Sequence, residues 1–110
     1  MANTFKNAFS ASIGTSAVDV YTVPSATTST IIGASVANIT ASSVNVDVTV
    51  TDTSGTITAH LVKGAPVPSG GALVIVGGDQ KVVLEATDKL TVTSDTATSI
   101  DAAVSILEQS

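Results

Sequence analysis

Hydrophobic and polar residues alternate with a period of two along much of this chain. The clearest case is residues 43–51, in which valine occupies every second position: Val44, Val46, Val48 and Val50. Successive side chains of a β-strand point to opposite faces, so this alternation predicts a strand whose valine face is directed toward a core. The intervening Ser, Asn, Asp and Thr residues form its polar face.

Similar segments recur about every 8–12 residues, the spacing of short strands in antiparallel sandwiches and barrels. We predict further strands at residues 18–24, 29–38, 56–63, 72–76, 81–85, 89–94 and 100–108. The Asp-Thr-Ser-Gly sequence at residues 52–55 predicts a tight turn, because Asp caps the turn backbone and Gly accepts a positive φ. The strands on either side of this turn therefore form the most clearly predicted hairpin.

The segments after this hairpin are less regular. Residues 64–71 contain two prolines and three glycines, which predict an extended loop. The wholly apolar residues 72–76 predict a short buried strand. Turns are predicted at residues 77–80 and 86–88.

The chain of 110 residues therefore predicts an all-β fold, a single antiparallel β-sandwich of about eight strands with a jelly-roll-like architecture. We assign residues 18–110 to the sandwich and residues 1–17 to an N-terminal arm or edge segment. Phe5 and Phe9 have a helical spacing, but the serines and the glycine that follow disfavour a helix. Two alternatives remain for this segment: an arm that reaches a neighbouring molecule, or a first edge strand that packs on its own core.

Composition excludes several classes of protein. Charged residues make up only 12% of the chain, and nine acids against four lysines give a net charge of −5 without any arginine. A nucleic-acid-binding protein needs cations, and usually aromatic residues on which bases stack, but aromatics are only 3% here. No run approaches the roughly 20 apolar residues of a membrane-spanning helix, and the N-terminal residues lack the apolar core of a signal peptide. We therefore expect no nucleic-acid partner, no membrane and synthesis in the cytoplasm.

The sequence offers little for catalysis. His60 is the single histidine and cysteine is absent, so neither a zinc site of His and Cys ligands nor a partnered imidazole is indicated. Alternation places His60 on the more polar face of its strand. We interpret it as a strand residue of that face or as a residue at a subunit contact. Asp79, Asp88 and Asp95 lie in loops that could converge on calcium, but no D-x-D-x-D-G loop is present. We predict no enzyme, no cofactor, no metal and no small-molecule substrate.

The residues of the predicted surface favour association with other molecules. Ser, Thr, Ala and Val cover both faces of the predicted strands, and such short side chains lose little rotamer entropy when a partner buries them. The mean hydropathy is high for a soluble monomer, and contiguous apolar surface usually marks an interface. Sugar recognition by small β-sandwiches usually relies on stacking against aromatic rings. The chain has only Tyr21 and two phenylalanines, and we expect the phenylalanines to be buried, so a sugar site is poorly supported.

A series of short motifs resembles a family of small virion proteins of tailed bacteriophages. These motifs are "YTVP", "VNVDVTV", "LVKGAPVPSGG", "KVVLEATDKLTV" and "VSILE", in that order, within residues 20–108. Each motif is permissive, so the specificity lies in their order and spacing. Where the family commonly has Gly before Asp in the fourth motif, this chain has Thr87, for which a positive φ would be costly.

The resemblance implies a β-sandwich that works by self-association or by binding a viral lattice, without catalytic residues. Within the virion it favours a head decoration (cement) protein that contacts the major capsid protein, with a neck, tail, baseplate or fibre component as the alternative. A carbohydrate- or receptor-binding module is a third hypothesis, which exposed aromatics near Tyr21 would support. Phe5, Phe9 and Tyr21 are the candidate residues for contact with a partner.

Overall fold

The protein is built from nine antiparallel strands, seen in a computed structural model that describes residues 2–77 and 79–110. The strands are β1 (Asn3–Ile13), β2 (Val18–Thr22), β3 (Thr28–Asn38), β4 (Val44–Asp52), β5 (Ile57–Val67), β6 (Ala72–Val76), β7 (Val82–Leu84), β8 (Lys89–Ser94) and β9 (Ile100–Gln109). The predicted all-β sandwich is confirmed. The described residues contain no helix long and apolar enough to cross a membrane.

The strands form two sheets that pack face to face. The first sheet has the order β1-β9-β3-β6, and the short strand β7 pairs with β3 beside β6. The second sheet has the order β2-β8-β4-β5. The first and last strands of the chain therefore lie side by side, and β9 occupies the interior of the first sheet between β1 and β3.

The core lies between the sheets and consists almost entirely of aliphatic side chains. The alternation predicted for β4 is confirmed, because Val44, Val46 and Val48 are all buried. The largest fully buried side chains are Ile13, Ile31, Leu90, Ile100 and Ile106, with valines from both sheets between them. Burying apolar area at roughly 25 cal/mol per Å² makes this layer the main source of stability.

The β4–β5 hairpin is confirmed together with its turn. Asp52 Oδ1 accepts hydrogen bonds from the backbone N–H of Ser54 at 3.1 Å and of Gly55 at 3.2 Å, as an Asp at the first turn position should. The hydroxyl of Ser54 also donates to Asp52 Oδ1 at 2.7 Å, and this bond is the largest cause that lowers the pKa of Asp52.

Two predictions about the following segment are wrong. Residues 64–67 continue β5 instead of forming a loop, because β5 is an edge strand, where Pro66 need not donate to a neighbour. Gly64 adopts a φ of 60° and donates its N–H to Asp47 Oδ1 at 2.6 Å, within an irregular part of the pairing. Strand β6 is only partly buried, since Val74 faces outward and is 67% exposed.

The turn predicted at residues 77–80 includes position 78, which lies outside the described residues. In the described part of this turn, the N–H of Gln80 donates to the carbonyl oxygen of Gly77 at 3.2 Å.

Most of the N-terminal segment forms β1, an edge strand of the first sheet. It pairs with β9 in continuous register from Asn3–Gln109 to Ser10–Ala102 before the register shifts near Ile13. Ile13 is buried in the core, whereas most of the preceding side chains are exposed. Among the described residues, no strand pairs with the other edge of β1.

Candidate interaction surface

The outward side of the first sheet carries four of the six exposed large hydrophobic side chains of the described residues. Because Ala102, Val104 and Ile106 of β9 point into the core, the intervening side chains, including Ala103 and Leu107, point away from it. The pairing register then identifies which residues of the other strands share this side. We call these outward side chains the outer face.

Two rows of cross-strand neighbours span the outer face. The first runs Phe5–Leu107–Thr30–Val83 across β1, β9, β3 and β7, and the second runs Phe9–Ala103–Ser35–Val74 across β1, β9, β3 and β6. Each row begins with an exposed phenylalanine at one edge of the sheet and ends with an exposed valine at the other. None of the eight side chains carries a charge.

The four apolar residues at the ends of these rows are unusually accessible. Phe5 is 77% exposed and Phe9 70%, while Val74 is 67% and Val83 63% exposed. The prediction that the phenylalanines are buried is therefore wrong. Their ring positions follow from the pairing of β1 with β9, which places both residues on the side opposite the core.

Shallow hollows lie next to each phenylalanine. One, of about 360 Å³, is lined by Phe5, Asn7, Ile32 and Ser105 among others. The other, of about 300 Å³, lies beside Phe9 and includes Asp101, an acid at the margin of the face that accepts the N–H of Ser12 at 2.9 Å. The face therefore presents projecting rings and adjacent depressions, a relief that a complementary surface could fill.

The dimensions of the outer face suit a specific protein contact. Strands of 10 to 11 residues extend about 35 Å at roughly 3.4 Å per residue, and four strand positions about 4.8 Å apart span about 19 Å. The resulting area of about 650 Å² approaches the roughly 800 Å² that each partner buries in a standard interface. A contact of this size would cover most of the exposed apolar side chains of the first sheet.

Tyr21, the third candidate residue, is only 8% exposed, so it contributes almost nothing to an exposed surface. Its hydroxyl lies 2.6 Å from Ser29 Oγ and donates to Glu108 Oε2 at 2.5 Å. Lys6 Nζ lies 3.8 Å from the other oxygen of Glu108. The structure therefore separates Tyr21 from Phe5 and Phe9, and its role within the chain is to bridge the two sheets.

His60 lies on the exposed side of the second sheet, opposite Thr49 of β4, on the polar face that the alternation predicts. Thr49 is in turn paired with Thr91 of β8. The residues next to His60 in this row thus carry hydroxyl and methyl groups, which neither activate nor orient an imidazole as a carboxylate would.

Three acids lie together at one end of the sandwich. Carboxylate oxygens of Asp52, Glu85 and Asp88 lie within 4.8 Å of one another. Asp88 also accepts hydrogen bonds from the backbone N–H of Thr53 at 3.2 Å and of Glu85 at 3.0 Å. These bonds, with those of Asp52, hold two turns in place and account for the positions of the Asp52 and Asp88 carboxylates.

The structure separates Asp88 from Asp95, two of the three loop acids whose convergence on calcium the sequence left open. Asp95 Oδ1 accepts the N–H of Asn45 at 3.2 Å, at the start of β4, whereas Asp88 lies near Asp52 at the end of the same strand. The loop acids therefore occupy opposite ends of the sandwich.

The fold has a counterpart among solved structures. Neither a protein-family model nor a curated protein matches the sequence. The structure is similar to a chain of the acidic stable capsid structure of Helicobacter pylori bacteriophage KHP30, with a TM-score of 0.53 and 8% sequence identity. The similarity covers 98% of this chain and 87% of that chain. At this identity the comparison shows that the two chains share a fold.

Proposed function

We propose that this protein is a non-enzymatic structural component of a bacteriophage virion, and that within the virion it decorates the head by binding the coat lattice. The outer face is the observation that carries this proposal. A broad sheet surface with exposed Phe and Val side chains, and with the acid Asp101 only at its margin, suits a protein that acts by contact. The fold shared with a chain of a phage capsid structure and the motif resemblance support the same conclusion.

The chemistry of the remaining surface agrees with a structural role. His60 lies opposite Thr49, and the carboxylates of Asp52 and Asp88 hold turns through backbone hydrogen bonds. Tyr21 is buried, so the exposed aromatic surface expected near it for a sugar-binding module is not supported by its position. The partners proposed are other copies of the chain and the major capsid protein, and the proposed location is the virion.

The proposal is tested by adding the purified protein to particles that lack it and counting the bound copies. Saturable binding of hundreds of copies would support head decoration. Binding of only a few copies would assign the protein to the neck, tail, baseplate or fibre instead. Absence of particle binding, combined with a positive glycan-array signal, would overturn the proposal in favour of a carbohydrate-binding module.

Matched variants test whether the outer face makes the contact. Val74→Lys and Val83→Lys each place a charge on the outer face, far from β1, and we expect each to lower particle affinity at least tenfold. Ile57→Lys is the control, because Ile57 is similarly exposed (62%) but belongs to the second sheet. Equal losses from all three variants would contradict a specific role for the outer face.

A further inference from the structure

The pairing of Ala2 with Ser110 shows which backbone groups of β1 bond to β9 and which point to the free edge. Ala2 and Ser110 exchange both backbone hydrogen bonds, with N···O distances of 2.9 and 3.0 Å. In an antiparallel ladder such pairs alternate with pairs that do not bond to each other. Even-numbered residues of β1 therefore bond to β9, and the N–H and C=O groups of Phe5, Asn7 and Phe9 point to the free edge.

This edge is poorly protected against pairing. Strand β1 has 11 residues and contains no proline, and its one charged side chain is that of Lys6. Lys6 is paired with Ile106 of β9, so its side chain lies on the opposite side of the sheet from the two phenylalanines, near Glu108. A long, nearly uncharged edge strand is a template for addition of another strand.

We infer that the free edge of β1 pairs antiparallel with β1 of a second copy, about a two-fold axis at Asn7. In this register Phe5 of each copy lies opposite Phe9 of the other, and the two Asn7 residues face each other. All three pairs fall at positions whose backbone groups point to the edge, so each pair exchanges two hydrogen bonds. The two first sheets then join into one continuous sheet with a continuous outer face.

The sequence on either side of Asn7 explains why a second copy is the occupant. Position 5 matches position 9 as a Phe–Phe pair, and position 4 matches position 10 as a Thr–Ser pair. Cross-strand aromatic and hydroxyl pairs each stabilise a sheet. Lys6 faces Ala8 of the second copy rather than another lysine. The segment is thus complementary to itself in one register. Pairing with an unrelated strand would not require such a match about Asn7.

The inference rests on the proposed function in one respect, namely that copies of the chain bind one another. It is tested on the purified chain without particles. Cysteine is absent, so Asn7→Cys introduces a single thiol at the proposed axis. Facing residues of a hydrogen-bonded pair have Cα atoms about 5.5 Å apart, within the range a disulfide spans. With oxidised glutathione as the oxidant, we expect the variant to form a covalent dimer.

Asn3→Cys is the matched control, because Asn3 lies on the same edge but faces Ala11 of the second copy. Its thiol would lie eight residues, or roughly 27 Å, from its symmetry mate. We expect Asn7→Cys to cross-link at least tenfold faster than Asn3→Cys. Equal rates would overturn the proposed pairing, whatever the outcome with particles.

A second pair of variants keeps the test decisive if the thiols at the axis align poorly. An equimolar mixture of Lys6→Cys and Ala8→Cys should yield a mixed disulfide, because positions 6 and 8 face each other about 4.5 Å apart in the non-bonded pair. Neither variant alone should cross-link comparably. Light scattering of the unmodified protein should give a mass of twice 10.8 kDa at high concentration. A monomer throughout, together with no mixed disulfide, would refute the dimer.

Discussion

The hydroxyl of Tyr21 in β2 lies 2.6 Å from Oγ of Ser29 in β3, so a buried hydrogen bond joins the second sheet to the first. The same hydroxyl donates to Glu108 of β9. Ser29 is completely buried. Because apolar burial is non-directional whereas a hydrogen bond is directional, this contact helps to fix how the two sheets are aligned at one end.

Removing only the hydroxyl should weaken the fold measurably. Tyr21→Phe keeps the ring but leaves Ser29 and Glu108 without their shared partner, at a cost of about 1–2 kcal/mol. Urea unfolding at pH 7 measures this loss. Phe5→Tyr is a useful control, since a hydroxyl added to an exposed ring should change the free energy of unfolding by less than about 0.5 kcal/mol.

The same residue predicts a loss of stability in alkaline solution. Burial, reinforced by the hydrogen bond to Glu108, raises the pKa of Tyr21 from 10.0 to about 12. Between these two values the unfolded chain has released the proton and the folded chain retains it. The free energy of unfolding therefore falls as pH rises, by about 1.4 kcal/mol per pH unit from this group.

This contribution is isolated by comparison with Tyr21→Phe, because every other ionisable group is common to both proteins. The stability advantage of the natural chain should be constant below about pH 9 and should shrink between pH 10 and 12. Chemical unfolding across this interval measures it. A difference between the two proteins that stays constant to pH 12 would contradict the raised pKa.

Thr87 adopts a φ of 70°, a conformation that is costly for a β-branched residue. Its Oγ1 lies 2.5 Å from Oγ1 of Thr53, an exposed contact that partly offsets the strain. Thr87→Ala removes this contact while retaining a Cβ, whereas Thr87→Gly also relieves the strain. We expect the glycine variant to be more stable than the alanine variant by about 1 kcal/mol in thermal or urea unfolding.

Asn38, at the end of β3, should be intolerant of a charge. Its buried amide nitrogen donates to the carbonyl oxygens of Ser42 at 2.7 Å and Val67 at 2.9 Å, and its oxygen accepts the N–H of Thr40 at 2.8 Å. In Asn38→Asp a carboxylate would face two carbonyl oxygens, and we expect a loss of about 3 kcal/mol or more at pH 7.

The pH dependence of this variant has a definite sign. Burial against carbonyl oxygens raises the pKa of the introduced acid in the folded state, so its protonated form is tolerated at low pH and stability is lost as pH rises. The destabilisation relative to the natural chain should therefore be smaller at pH 4 than at pH 7. Asn3→Asp, which adds the same charge at an exposed position away from the proposed two-fold axis, should show no comparable loss.

The elements of this fold were readable from sequence where one side of a strand is buried and the other is not. The strand is predicted by the alternation of Val44, Val46 and Val48, because a strand of a sandwich has one buried face. The turn at Asp52 was equally readable, since its hydrogen bonds are local. The exposure of Val74 cannot be predicted in this way, because its strand is apolar at every position and lacks the alternation that distinguishes inside from outside.

The outer face was not readable, because it depends on pairing between distant segments. Phe5 and Phe9 point outward because β1 pairs with β9 in one particular register, and no local pattern encodes that choice. The grouping of Asp88 with Asp52 depends likewise on two turns brought together by the fold. The prolines and glycines of residues 64–71 predict a loop, but an edge strand can hold Pro66, because its missing N–H need not pair with a neighbour.

The place of β9 between β1 and β3 also governs when the protein can fold. Residues 100–109 supply the central strand of the first sheet, so β1 and β3 cannot assemble into that sheet until those residues have been synthesised. Pairing across such long sequence separations is slow, because the chain loses the entropy of loop closure before any stabilising contact forms. Completion of the first sheet therefore waits for residues 100–109, and until these residues pair, β1 and β3 lack the strand that lies between them.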